Sequence, residues 1–190
     1  MARPAWVTVP NIISVLRLAM VPVFLAYHLT GHPARALTWF IVAAVSDVLD
    51  GLAARLLDQR SALGAWLDPI ADKVLVFAAL VSLSLEHRLP VWVLGLVIFR
   101  DGFFIIGALV VRAKRLDVEV KPTRVGKYAT FCLVLLIVLA LADQIVRSSL
   151  LLHQYTQVVG LLAGLAIIVS TIQYFVGSGY VFFAPARPLS

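Results

Sequence analysis

Apolar residues run along this chain in long stretches broken by short polar segments. Six runs stand out. They cover about Asn11 to Tyr27, Ala36 to Leu56, Ala65 to Leu85, Pro90 to Val111, Gly126 to Ile145 and Leu150 to Phe175. Polar segments such as HLTGHPAR, EHRLP and DQIVRSS lie between them. A spanning helix needs about 20 mostly apolar residues. The pattern therefore predicts an all-α integral membrane protein, a bundle of six transmembrane helices forming a single domain over residues 1–190.

Composition agrees. The chain is 62% hydrophobic and 14% charged, against roughly 25% charged in an ordinary soluble domain. Little is left for a soluble domain. The single cysteine, Cys132, lies inside an apolar run and cannot form an internal disulfide. The first run continues past Pro22 without a small-residue cleavage site, so it reads as a mature helix rather than a signal peptide.

Lysine and arginine set the expected orientation. With the N-terminus inside, the cytoplasmic side receives Arg3, Arg55, Arg60, Arg112, Lys114, Arg115, Lys121, Arg124, Lys127 and Arg187. The outer loops receive Arg35, Arg88 and Arg147. Both termini are thus expected in the cytoplasm. The net charge of +6 sits mainly on that face, where it suits anionic membrane lipid. No basic and aromatic pattern points to nucleic acid.

The acids are distributed differently. Five of the ten fall in 47–72, DVLDGLAARLLDQRSALGAWLDPIAD. Asp47 and Asp50 are three apart near the cytoplasmic end of the second helix. Asp68 and Asp72 are four apart near the start of the third. Such pairs share a helix face, and the short connection makes the helices antiparallel neighbours. Asp58 reads as an exposed residue of that connection. A carboxylate at mid-membrane costs about 2.5–3.5 kcal/mol on insertion scales. Four together repel unless a cation holds them, and hard oxygen ligands suit Mg²⁺ or Mn²⁺. Four carboxylates can hold two such ions, an arrangement suited to displacement at phosphorus. Gly51 and Ala54 let a bulky ligand approach the backbone, Arg55 offers a phosphate fork, and Gly64 opens the third helix. Two other readings compete. Buried ion pairs would need more basic residues than the spans contain, and a divalent-cation pathway would not need the Gly51, Ala54, Arg55 set.

The stretch resembles the signature of the CDP-alcohol phosphatidyltransferases, D-x2-D-G-x2-A-R-x8-G-x3-D-x3-D. Asp47, Asp50, Gly51, Ala54, Arg55, Gly64, Asp68 and Asp72 match every fixed position. The six-span plan is similar as well. The resemblance implies a membrane transferase that binds CDP-diacylglycerol and two divalent ions at the cytoplasmic face of the inner or plasma membrane. An acceptor hydroxyl attacks the lipid-side phosphorus, and CMP leaves. It implies that Asp47, Asp50, Asp68 and Asp72 hold the metals and that Asp72 also takes the acceptor's proton. Asp47, Asp50, Gly51, Ala54, Arg55, Gly64 and Asp68 would cradle the CDP-lipid. A catalytically dead relative would not need the intact motif.

LDPIADK and VPNIISVLRLAMVP look like the branch that makes phosphatidylglycerol and cardiolipin. FRDGFFIIG and KPTRVGKYATF look more like its cardiolipin synthases, which use phosphatidylglycerol, than its phosphatidylglycerophosphate synthases, which use glycerol 3-phosphate. Arg100, Lys121, Arg124 and Lys127 are the candidate acceptor-binding residues. For Arg100 the competing partner is Asp101 or a motif aspartate, and for the others the competing role is membrane orientation. Arg17 reads as snorkelling to the interface, and Trp6, Trp39, Trp66 and Trp92 as interfacial anchors. His28, His32, His87 and His153 read as surface residues. GLLAG at 160–164 has the spacing of a close helix contact and would suit a homodimer, as in relatives.

Overall fold

The computed structural model of the protein describes residues 9–56, 64–113, 124–146 and 150–178. They form six α-helices: α1 Val9–Leu29, α2 Pro33–Leu56, α3 Gly64–Leu85, α4 Val91–Ala113, α5 Arg124–Ile145 and α6 Leu150–Ser178. Each coincides with one expected run. The helix starts differ by a turn or less, because helices continue past their apolar stretch. Thus α2 begins at Pro33, whose ring presets the first helical residue, and the His32 carbonyl accepts the Ala36 N–H at 3.0 Å. Among the described residues, Asn11–Leu29, Val125–Ile145 and Gln154–Val176 are long and apolar enough to cross a membrane.

Two helix ends close with the same device. Gly31, at φ 74°, ends α1: its N–H donates to the His28 carbonyl at 3.1 Å, and the His32 N–H donates to Tyr27 at 2.9 Å. These are the paired bonds of a Schellman cap. His87, at φ 56°, ends α3 likewise, with its N–H on Ser84 and the Arg88 N–H on Leu83. Left-handed backbone is uncommon for a residue with a side chain.

The helices gather in two compact units. The first holds α1, α2 and α3, with Ile137–His153. In it α1 packs against both α2 and α3. Its inward face is Asn11, Ser14, Arg17, Val21, Phe24 and His28, spaced three or four apart. Ala36 and Ala43 of α2 are buried, and small residues let helix backbones approach closely. Phe24 lies 5.9 Å from Phe40 and stacks on His28 at 5.7 Å.

His28 is buried, which corrects its reading as a surface residue. Its Nε2 lies 3.4 Å from Glu86 Oε1, just past the end of α3. Glu86 Oε2 accepts a hydrogen bond from Gln144 Nε2 of α5 at 3.1 Å. One carboxylate thus ties three helix ends, and α1 and α3 run parallel.

The second unit holds Leu89–Leu136 and Gln154–Ser190. Two of its close helix contacts are made at glycines. A Cβ added at Gly164 would overlap the Trp92 ring, and one at Gly107 would lie 2.8 Å from the Tyr174 hydroxyl. Tyr174 also packs on Phe104, with ring centroids 4.3 Å apart, and meets Phe103 edge-on. Trp92 meets Gly164 and Gly107 meets Tyr174, so α4 and α6 run parallel. The GLLAG glycines are therefore occupied within the chain. Gly160 faces Leu136 of α5, and Gly164 holds an aromatic ring of α4.

Outward faces are apolar. On α6 alone, Leu161, Leu162, Leu165, Ile168, Val169, Ile172, Phe175 and Val176 are exposed, while Ser170 and Thr156 are buried. Polar residues inside and apolar residues outside suit lipid as the solvent.

Two outcomes are expected from this packing. Gly164→Leu drives a side chain into Trp92 and should lower stability by about 1–3 kcal/mol; adding Trp92→Ala should recover part of it. Thermal unfolding in detergent reads both. Glu86→Ala leaves His28 buried without its partner and should cost about 1–3 kcal/mol. His28→Phe keeps the ring stack and removes the buried polar group, so it should unfold close to the unaltered chain in the same assay.

Candidate functional site

The aspartate motif lies at the ends of two consecutive packed helices. Asp47, Asp50, Gly51, Ala54 and Arg55 occupy the last turns of α2. Gly64, Asp68 and Asp72 occupy the first turns of α3, which packs against α2. The side chains at 47–56 and 64–69, and all of Asp58, lie outside the described residues, so for these the backbone alone gives the location. Spacing of three and four puts each aspartate pair on one face of its helix. The two pairs belong to the same unit and to adjoining helix ends.

Asp72 is the motif carboxylate whose side chain is described. It is half-buried, flanked by buried Ala71 and Leu75, with Lys73 exposed beside it. Its α3 face therefore lies along the edge of the unit's core. Four carboxylates on adjoining turns form an all-oxygen donor set, which suits a hard divalent ion better than a soft one.

The polar half of α1 was not legible as part of this region. Arg17 is fully buried at 0% exposure, together with Ser14 at 0% and Asn11 at 4%. Arg17 does not snorkel. It lies on the face that packs against α2 and α3. The signal was present in the spacing: Asn11, Ser14 and Arg17 continue the three-and-four rhythm of Val21, Phe24 and His28.

The basic candidates belong to the second unit. Arg100 is 8% exposed, and its Nε donates to Asp101 Oδ1 at 3.0 Å. Of the two partners open from sequence, the neighbouring aspartate is the one observed. A buried guanidinium is expected to find an anion, and one of its five N–H groups is spent here. Lys127 is exposed on the first turn of α5. Arg124 opens that helix with its side chain outside the described residues, and Lys121 lies outside them altogether.

Comparison with known proteins now bears on this arrangement. The family profile described as CDP-alcohol phosphatidyltransferase matches residues 7–172. A probable phosphatidylglycerophosphate synthase of Mycobacterium tuberculosis is 42% identical over 109 residues, covering 54% of this chain and 52% of that protein. The CDP-diacylglycerol--glycerol-3-phosphate 3-phosphatidyltransferase of Cereibacter sphaeroides is 44% identical over 103 residues, 50% of this chain and 47% of that one. The human cardiolipin synthase (CMP-forming) is 38% identical over 127 residues, 66% of this chain and 41% of that one. The chain spans about half the length of the relatives it matches. A profile match over most of the chain, on a six-helix structure with the aspartate pairs at adjoining ends of α2 and α3, is membership: the chain belongs to the CDP-alcohol phosphatidyltransferase family.

Proposed function

We propose that this chain is a divalent-metal-dependent transferase of phospholipid biosynthesis, moving a phosphatidyl group from CDP-diacylglycerol to a glycerol-type acceptor with release of CMP. The observation that carries it is the complete motif, Asp47 to Asp72, on the adjoining ends of α2 and α3. We read all six helices as membrane spans with both termini cytoplasmic, which puts the motif at the cytoplasmic face. Supporting this are the parallel pairs α1 with α3 and α4 with α6, as alternating crossings require, and the bias of Lys and Arg to one side.

Mg²⁺ or Mn²⁺ held by Asp47, Asp50, Asp68 and Asp72 would neutralise the pyrophosphate and acidify the acceptor hydroxyl. Arg55 clamps phosphate as a planar fork. Gly51 and Ala54 leave room for the cytidine diphosphate to lie along α2. Asp72 takes the proton of the attacking hydroxyl, a transfer that needs only contact distance. The acyl chains stay in lipid while the head group reacts.

The acceptor reading favours phosphatidylglycerol, with glycerol 3-phosphate as the alternative. It rests on Arg100–Asp101 and on KPT-x-x-GK-x-x-T at 121–130. Relatives named for both activities align with this chain, the cardiolipin synthases over the longer share. Arg100, Lys121, Arg124 and Lys127 would hold the acceptor's phosphate.

The deciding assay is CMP release by purified protein given CDP-diacylglycerol and Mg²⁺, with each acceptor offered separately. Release with phosphatidylglycerol alone is the expected outcome. Release with glycerol 3-phosphate alone would assign the alternative, and release with neither would sink both. Asp72→Asn should lower turnover by about 10²-fold or more while CMP binding changes little; unaltered turnover would remove Asp72 as the base. Arg124→Ala should raise the acceptor's KM several-fold more than that of the CDP-lipid, and equal changes would leave it only a structural role.

A further inference from the structure

Among the described charged residues of the first unit, Arg17 is completely buried. A guanidinium stays protonated in proteins, so its charge is carried into the interior of the three-helix packing. A buried charge is tolerated when an opposite charge stands near. The acids of this unit's sequence are Asp47, Asp50, Asp58, Asp68, Asp72, Glu86 and Asp143. Glu86 is at the far end, in contact with His28 and Gln144, and Asp143 precedes Gln144 on α5.

The heights of the others follow from the contact between His28 and Glu86. Arg17 precedes His28 by as many residues as Leu75 precedes Glu86, and α1 and α3 run parallel. At about 1.5 Å rise per residue, Arg17 stands level with Leu75, and Ser14 with Asp72. Asp72 is therefore about one turn from the height of Arg17. On α2, joined to α1 by the tight turn at Gly31, the chain returns to the height of Arg17 near Val45, less than a turn before Asp47. The acids of this unit within about a turn of Arg17 in depth are Asp47 and Asp72, one from each motif pair.

We propose that Arg17 is a positioning residue of the aspartate site: a resident counter-charge that holds the motif carboxylates together when no divalent ion is bound, and that competes with the ion for them. This rests on the reading of Asp47, Asp50, Asp68 and Asp72 as the metal site. Four carboxylates on two adjoining helix ends repel, and one fixed cation at their depth would offset part of that repulsion. The same cation repels an incoming divalent ion. Its removal has two opposed effects: the metal-free fold weakens, and affinity for the ion rises. Loss of packing alone would weaken both.

The test is direct Mn²⁺ binding to the purified full chain in detergent, without lipid substrate, read by the electron paramagnetic resonance of free Mn²⁺. Thermal unfolding is measured with and without Mg²⁺. Arg17→Gln should bind Mn²⁺ about tenfold more tightly than the unaltered chain, melt lower without metal, and gain more from Mg²⁺. Arg17→Lys keeps the charge and should stay within about threefold of the unaltered affinity. If Arg17→Gln folds only with metal present, it is purified in Mg²⁺ and its affinity is read by chelator competition. Equal or weaker Mn²⁺ affinity in Arg17→Gln would overturn the proposal and leave Arg17 a packing residue. No Mn²⁺ binding by the unaltered chain would overturn the metal site itself, and this inference with it, a result distinct from equal affinities in the two chains.

Discussion

Charge is hard to place in a helix bundle whose outer surface is apolar. Where lipid surrounds a helix, an ionised group must reach a helix end or meet an opposite charge. The first unit obeys this at both ends. At one end Glu86 meets His28 and Gln144. At the other lie the motif aspartates, with the buried Arg17 within about a turn of Asp47 and Asp72 in depth. Between the two, α1 turns Val21 and Phe24 inward, with Phe40 of α2 against Phe24. One face of α1 thus changes from polar to apolar and back.

Under the proposed function, the arrangement separates anchoring from chemistry. The Glu86 contacts join the ends of α1, α3 and α5 without using a motif residue. Small residues do the same by shape. Ala36 and Ala43 are buried on α2, and Gly107 and Gly164 receive Tyr174 and Trp92 in the second unit. Helix ends joined in this way keep the backbone of the motif at fixed depth, as the proposed site for hard cations and a diphosphate would need. In the proposed reaction the lipid tails never leave the bilayer, so the protein supplies only the polar half of the binding site.

Much was legible in the sequence because the motif is local. The eight motif residues from Asp47 to Asp72 lie on two consecutive helices with a short connection, so spacing alone put them at adjoining ends. The six helices were legible from run length, with starts within a turn of those observed. The remaining offsets arise because hydropathy marks where a helix is apolar, whereas Pro33 sets where α2 begins and the Schellman turns at Gly31 and His87 set where α1 and α3 end.

What failed to read depended on partners distant in sequence. Arg17 looks like an interfacial arginine until α1 is packed against α2 and α3. His28 looks like a loop histidine until Glu86 arrives from the end of α3. Gly160 and Gly164 look available for a second copy until Leu136 and Trp92 occupy them. The sequence by itself determined the number of helices and the register of the aspartates, because both follow from periodicity within one helix or across one short loop. The tertiary structure decided which charges are buried and which small residues are filled. Those are properties of facing surfaces, and spacing along one helix does not say which surface it will meet.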